Sequence, residues 1–503
     1  MSLSPVSGGA TVVGFTVNVQ QWLPDFPPPY VIAIVALDED RAARLTTNIV
    51  NCDPDEVRVG MRVRVLFEEA QGTGEGEEIH FPLFEPDPER AGEAGLFPEP
   101  EDNRVYPRPM VSSDKYEDKV ALTGVGQSTV GRRLMVDPLS LTVDACTQAV
   151  EDAGLSFDEI DGLSTYPGPG LGGGMSEGGV MALEEALNLH PTWVNGGSDV
   201  PGQIGSITAA MLAVAAGLCR HVLCFRTVWQ SSHATLTRVG RWEPEGNRAT
   251  GMVEWRAPFG ATSAANWIAM HASNYFHRYG GDRETLGWIA LNARTNAARN
   301  PEAVYREPLT MEDYLQARMI STPFGLYDCD VPVDGAIAVI VSAVEAAADR
   351  PKTPVFVESV GTQITERLSW DQGTLSHLPQ SLGPSAHLWS RTSLRPEDVD
   401  VAELYDGFSF NALSWLEGLG FCEPGGARDF VDEGRGIALD GRLPVNTHGG
   451  QLSAGRLHGY GFVREAVLQL RGEATGRQVG DARVAVVSAG GGVPSGAMLL
   501  RRG

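Results

Sequence analysis

Cysteine is sparse and scattered in this chain. Six residues (Cys52, Cys146, Cys219, Cys224, Cys329 and Cys422) occur without a single Cys-x-x-Cys pair. That spacing excludes a zinc ribbon and a secreted disulfide framework, and no metal is expected. Cys219 and Cys224 border an apolar run and read as core filler. Positive charge is also short, with 39 Lys+Arg against 64 Asp+Glu and a formal net charge of −25. A polyanion would be repelled, so general affinity for nucleic acid or an anionic membrane is excluded. A phosphorylated ligand stays open, because it needs only a local cationic or helix-terminal site. The longest nearly apolar run, Ile207 to Cys224, is broken by Thr208, Gly217, Arg220 and His221. It falls short of the roughly 20 residues a bilayer span requires. No basic-then-apolar leader opens the sequence. The expectation is a reduced, cytoplasmic enzyme.

What is present is an ordinary folded composition, 42% apolar and 20% charged over 503 residues. At roughly 150 residues per domain, this length suggests three or four units. Residues 1–86 hold five short β-branched or aromatic runs, beginning with Thr11–Val17 and Tyr30–Leu37 and ending with Ile79–Phe84. Five such strands suit a small closed or partly open barrel. Residues 87–115 are rich in proline and acid without periodicity, the composition of a linker. From 116 onward, strand and helix patterns alternate, which means a layered α/β domain. The alternation occurs twice, over 116–350 and 351–503. The two halves end in the apolar runs Ala336–Val341 and Arg483–Ser488.

Five motifs in order carry a resemblance over about 118–503. They are Asp334-Gly335-Ala336, Ala402-Glu403-Leu404-Tyr405-Asp406-Gly407-Phe408, Asn446-Thr447-His448-Gly449-Gly450, Gly455-Arg456-Leu457-His458-Gly459-Tyr460-Gly461 and Ser488-Ala489-Gly490-Gly491-Gly492. This segment resembles the thiolase-like superfamily, closest to its sterol-carrier-type branch and the aldolases derived from it. The resemblance implies an α/β thiolase fold of two duplicated halves layered αβαβα. Residues 1–86 resemble the OB-fold partner of such enzymes through Pro29-Tyr30-Val31, Asn51–Val57 and Gly60–Val63, here without its zinc ribbon.

The departures from thiolases are informative. Thiolases attack an acyl-CoA with a cysteine thiolate at a helix N-terminus, where the dipole lowers the thiol pKa. The corresponding turn here, Asn195–Gly202, contains no cysteine. Ser488 stands at the second cysteine position and Arg456 at the histidine of the Gly-His-Pro turn. Ser198 offers itself as a substitute nucleophile, but a serine without an adjacent base is weak. Tyr405 occupies the place of an oxyanion-pocket Asn or His, and Tyr460 follows His458 by two residues. Two phenols and an imidazole can shuttle one proton between a hydroxyl and a carbanion.

That pattern is similar to thiolase-like aldolases of steroid side-chain breakdown. These cleave a β-hydroxyacyl-CoA to a ketone and a shorter acyl-CoA. The resemblance implies a retro-aldol carbon–carbon lyase, with a 17-hydroxy steroid side-chain CoA thioester as substrate and propionyl-CoA as product. Tyr405 and Tyr460 take the two proton transfers, unordered, with His458 as their partner and Asp406 as an orienting carboxylate. Trp229, His233 and Arg238 are candidates to meet CoA, as is Ser198. No cofactor is expected beyond the CoA of the substrate. A homodimer, an OB module docked on the catalytic domain and a hydratase partner complete the expectation.

Other readings stand beside these. Tyr405 and Tyr460 also fit as packing residues, and Asp406 as a helix cap. His448 reads as a loop-ordering residue, and Tyr327–Asp330 as a plain turn. Trp255, Phe259 and Trp267 could wall an acyl pocket or fill a core. Pro167–Gly174 lacks a phosphate-loop pattern and reads as a lid. The rival functions are an acyltransferase with a non-cysteine nucleophile and a non-catalytic acyl-CoA or lipid carrier.

Overall fold

The computed structural model describes residues 4–24, 26–70, 79–97, 108–110, 113–169, 172–197, 202–241, 254–347, 351–366, 373–376, 381–491 and 495–503. Its first five strands are β1 (Gly9–Asn18), β2 (Tyr30–Leu37), β3 (Arg44–Ile49), β4 (Arg62–Ala70) and β5 (Ile79–Pro86). Their spatial order is β1-β2-β3-β5-β4, and β4 returns to pair with β1 from Gly9↔Arg64 to Thr11↔Arg62. The sheet closes on itself around Val12, Val31, Ala33, Val35, Val63 and Phe84. Alternation along each strand supplies that interior, and closure leaves few free edges. The chain after β5 stays on the barrel. Leu96 N–H donates to Thr11 Oγ1 at 2.9 Å, and Phe97 stacks on His277 with ring centroids 5.1 Å apart.

Eleven further strands follow among the described residues. They are β6 (Val120–Gln127), β7 (Gly162–Thr165), β8 (Trp193–Asn195), β9 (His221–Trp229), β10 (Met319–Ser321), β11 (Phe324–Gly325), β12 (Asp334–Ala343), β13 (Val355–Gly361), β14 (Val401–Glu403), β15 (Val484–Ala489) and β16 (Gly496–Arg502). Nine of them form one sheet in the order β14-β15-β16-β13-β6-β12-β9-β7-β8. The duplication is visible in this order. β6-β12-β9-β7 and β13-β16-β15-β14 have the same succession of antiparallel, antiparallel and parallel pairings. This corrects the pairing of halves expected from the apolar runs. β15 matches β9, and the counterpart of β12 is β16, a strand hidden by the glycine run before it and the two arginines at its end.

Strand alternation explains the layers. Val222, Cys224, Val339 and Val341 face a central core with Val487, Met498 and Leu500. That core is filled by the helices Gly205–Ala215 and Tyr460–Arg471 through Ile207, Met211, Val463 and Val467. The intervening Leu223, Phe225, Ala338 and Ile340 meet the outer helix Pro138–Asp152. Val486 and Leu499 meet the outer helix Ser409–Gly418. The two halves of the one sheet thus cover the central helices from either side, each with an outer helix on its other face, giving five layers.

The barrel is docked on this domain by a shared sheet edge. β10 pairs with β1 at Asn18↔Ser321, so the β10–β11 hairpin extends the barrel sheet. Asn266 Nδ2 donates to Asn18 Oδ1 and to Ser321 Oγ, both at 3.0 Å, and Asn274 Nδ2 donates to Val13 O at 2.7 Å. Val13, Ile32 and Ile34 pack on Ala261, Met270 and Leu375 in the same seam. The aromatics considered for an acyl pocket lie here or outside it. Phe259 is buried against the barrel, with its carbonyl accepting from Asn48 Nδ2 at 3.0 Å. Trp267 joins the seam under Arg256, and Trp255 is 72% exposed.

Candidate active site

Tyr405 lies just beyond β14, and its N–H donates to Ser488 Oγ on β15 at 2.9 Å. The serine at the old cysteine position therefore anchors the tyrosine backbone. Asn446 clamps the same turn, its Oδ1 accepting from Leu404 N–H at 2.7 Å and its Nδ2 donating to Leu404 O at 2.9 Å. Asp406 is fully buried, accepting from Gln451 N–H at 2.7 Å and from Asn446 Nδ2 at 3.0 Å. A Cβ on Gly450, whose φ is +57°, would come within 1.9 Å of Asp406 Oδ2, so only glycine fits there. Burial raises the Asp406 pKa to about 7 against the opposing Gln451 N–H. Asp406 thus orients the Asn446–Gln451 loop. It is not the cap of the following helix, where Asn411 Oδ1 accepts from Phe408 N–H at 3.0 Å.

His458, read from the sequence as the phenols' partner, stands between two guanidiniums. Arg456 Nε donates to His458 Nε2 at 2.8 Å, and Arg226 Nη2 lies 2.6 Å from Nδ1. Burial and both cations push its pKa well below the ordinary imidazole value. A neutral ring so placed does not serve as the proton donor. Arg226 itself is wholly buried on β9 and donates to Tyr166 O at 2.8 Å. Arg456 Nη1 pairs with Asp330 Oδ1 at 3.0 Å, so the Tyr327–Asp330 turn contributes a carboxylate to the site.

The two phenols share the central core and flank this row of charges. Half-buried Tyr405 neighbours Asp330, Arg456, Gln451 and Tyr166. Burial raises its pKa above the usual phenol value, Asp330 adds to that, and Arg456 opposes it. Tyr460 is fully buried near Arg226, with its hydroxyl 2.7 Å from Ser206 Oγ. Burial pushes its pKa well up too. Behind the loop, His448 Nδ1 lies 3.0 Å from Glu403 Oε2. Burial would lower the His448 pKa, but Glu403 outweighs it and raises the value.

The remaining candidates disperse. Trp229 turns inward, donating to Ser176 O at 2.7 Å, with His233 edge-on at 5.1 Å. Arg238 is exposed at the end of the helix Gln230–Arg238. Ser198 lies outside the described residues. Arg226, Asp330, Ser206 and Gln451 were missed. An arginine in the apolar run His221–Trp229 was the one clear signal, since a charge on a buried strand needs partners. Among the described residues no cluster of acidic, His or Cys side chains suits a metal, and no helix is long and apolar enough to cross a membrane.

Comparison with known proteins follows this division of the chain. Residues 4–68 match the family described as ChsH2, C-terminal OB-fold domain, and residues 380–500 match the thiolase C-terminal domain-like family. The steroid side-chain-cleaving aldolase of Thermomonospora curvata is 33% identical over 387 residues, covering 76% of this chain and 97% of the relative. The 17-hydroxy-3-oxo-4-pregnene-20-carboxyl-CoA lyase of Mycobacterium tuberculosis is 32% identical, covering 76% of this chain and 99% of the relative. The solved Ltp2-ChsH2(DUF35) aldolase superposes with a TM-score of 0.67 at 30% identity, covering 76% of this chain and 98% of that one. A monomeric SCP2-thiolase-like protein of Mycobacterium smegmatis shares the fold at a TM-score of 0.56 and 18% identity, covering 78% of each chain.

Proposed function

The chain belongs to the thiolase-like family of steroid side-chain-cleaving aldolases, and from that premise we propose that it cleaves a 17-hydroxy steroid side-chain CoA thioester to a 17-ketone and propionyl-CoA. The enzyme is a carbon–carbon lyase. The hydroxyl on the β-carbon loses its proton and becomes the ketone. The Cα–Cβ electron pair moves onto Cα as the thioester enolate, and Cα then takes one proton. One proton therefore travels from oxygen to carbon, and the protein ends unchanged.

Tyr405 and Tyr460 carry the two transfers. Both phenols are held protonated, so each accepts a proton only while passing its own onward. The supporting observation is Tyr405, tied to Ser488 and set beside the Asp330–Arg456 pair. The neighbouring thiols Cys224 and Cys329 are pushed far from the thiolate state by burial. Arg226 and Arg456 supply positive charge where enolate charge develops.

The CoA arm runs by the helix Gln230–Arg238, with Arg238 toward solvent and His233 beside Trp229, and no further cofactor takes part. β8 is one terminal strand of the sheet among the described residues, with Val194 48% exposed, and it serves a homodimer across a two-fold. A hydratase working in the same cytoplasmic compartment supplies the β-hydroxyl.

The test is to offer the 17-hydroxy thioester to the full chain and follow the ketone and propionyl-CoA by mass spectrometry. Release of both in equal amounts is expected. A covalent acyl-protein would favour the acyltransferase, and tight binding without ketone would favour the carrier.

A further inference from the structure

Gln451 is held on three sides. Its N–H donates to Asp406 Oδ1 at 2.7 Å, its carbonyl accepts from Val331 N–H at 3.0 Å, and its side-chain Oε1 accepts from His458 N–H at 3.0 Å. The two ends of a side-chain amide have nearly the same shape, but a backbone N–H can be met only by the oxygen. The His458 N–H thus fixes which end is which. The other end, Nε2, is buried, faces the Tyr405 phenol and makes no well-formed hydrogen bond among the described residues. It belongs to a side chain that neighbours the Tyr405 phenol, and the residue is only 2% exposed. A buried NH2 group left unpaired is costly, and native proteins keep few of them. Gln451 also sits in the π-helical turn Gly450–Ala454, a local widening common at functional sites.

We propose that Gln451 Nε2 is a substrate-binding donor that hydrogen-bonds to the oxygen on the β-carbon, beside Tyr405, and so selects the hydroxylated thioester. The hydroxyl donates to the Tyr405 oxygen while it accepts from Gln451, and the same N–H stays on that oxygen as it becomes the ketone. The assignment rests on the reaction proposed above. It adds a discriminating contact that neither the motifs nor the departures from thiolases revealed. A site that pairs a substrate hydroxyl rejects the analogue lacking it, because its own donor is then stranded.

The experiment compares the parent with Gln451→Glu, which keeps the acceptor for His458 N–H, and Gln451→Met, which is similar in length and uncharged. Two quantities are read: kcat/KM for the 17-hydroxy thioester and the inhibition constant of its inert 17-deoxy counterpart. Both variants should lose on the order of 10²-fold in kcat/KM. The deoxy inhibition constant should stay within about twofold. Unchanged kcat/KM, or an equal loss toward both compounds, overturns the assignment while leaving the cleavage reading intact. If the parent cleaves nothing, calorimetry of both thioesters decides separately. A parent preference for the hydroxylated compound that both variants abolish upholds Gln451 and sinks the cleavage reading, and no preference in the parent sinks both.

Discussion

The hydroxyls of Tyr460 and Ser206 lie 2.7 Å apart, each in the first turn of one of the two central helices. Two helix N-termini therefore converge on one hydrogen bond, in the region where a thiolase would place its nucleophile. Their partial positive charge favours negative charge on a phenol. Burial nonetheless dominates and keeps Tyr460 protonated.

The two tyrosines should separate in mutation. Tyr405→Phe should lower single-turnover ketone formation by about 10³-fold, and Tyr460→Phe by about 10²-fold, within the usual range for a lost proton-transfer group. Ser206→Ala should cost less than Tyr460→Phe, because it leaves the phenol in place. Near-parental rates in both phenylalanine variants would remove the phenols from the chemistry.

Asp330 and Arg456 form a second testable unit. The Asp330 carboxylate is largely shielded from water and its pKa is raised chiefly by desolvation, with Arg456 as the opposing cation. Arg456→Leu leaves that charge uncompensated and should destabilise the fold by roughly 3 kcal/mol. Arg456→Leu combined with Asp330→Asn should recover much of the loss. Chemical denaturation of the four proteins in the cycle measures this, and additive effects would mean the pair is not coupled.

His458 gives the protein an acid-labile point. Its folded pKa lies below the unfolded value, so protonation favours the unfolded chain. The stability it contributes is present above about pH 6.5 and is lost as pH falls from there toward the folded value. His458→Gln has no such titration. The stability gap between parent and variant should therefore shift against the parent between pH 7 and 5, by at most about 1.4 kcal/mol per pH unit. A gap that stays constant over that range would show that the two guanidiniums do not suppress protonation.

Much of this architecture was legible because local pattern and tertiary role coincide. The β-branched run Tyr30–Leu37 marks a barrel strand, and helical spacing in Leu141, Ala145 and Ala149 marks the face of an outer helix. The phenols were legible because Tyr405 and Tyr460 stand inside motifs of fixed spacing. The charges between them were not. Arg226 and His458 meet across 232 residues of sequence, and Arg456 and Asp330 across 126, distances at which no periodicity speaks. Aromaticity was similarly silent about partners. Phe259 and Trp267 looked equally suited to a ligand or a core, and it is the docked barrel that claims them.

That docking supplies the last prediction. Asn266 is fully buried and uses its Nδ2 on both sides of the seam, on Asn18 from the barrel and Ser321 from the hairpin β10–β11. The hairpin leads within a few residues to Asp330, so the seam and the active site share one short stretch of chain. Asn266→Leu removes these two hydrogen bonds and the one its Oδ1 accepts from Ser263 N–H, while Asn18 Oδ1 keeps Trp22 and Ser321 Oγ keeps Thr16, so the cost should be about 1–3 kcal/mol. Because the loss falls on the seam, limited proteolysis should cut the variant faster than the parent, and kcat should fall as the Asp330–Arg456 pair loosens. A variant that unfolds at a lower temperature yet keeps the parent's cleavage rate would show that the barrel is bound to the catalytic domain without supporting its chemistry.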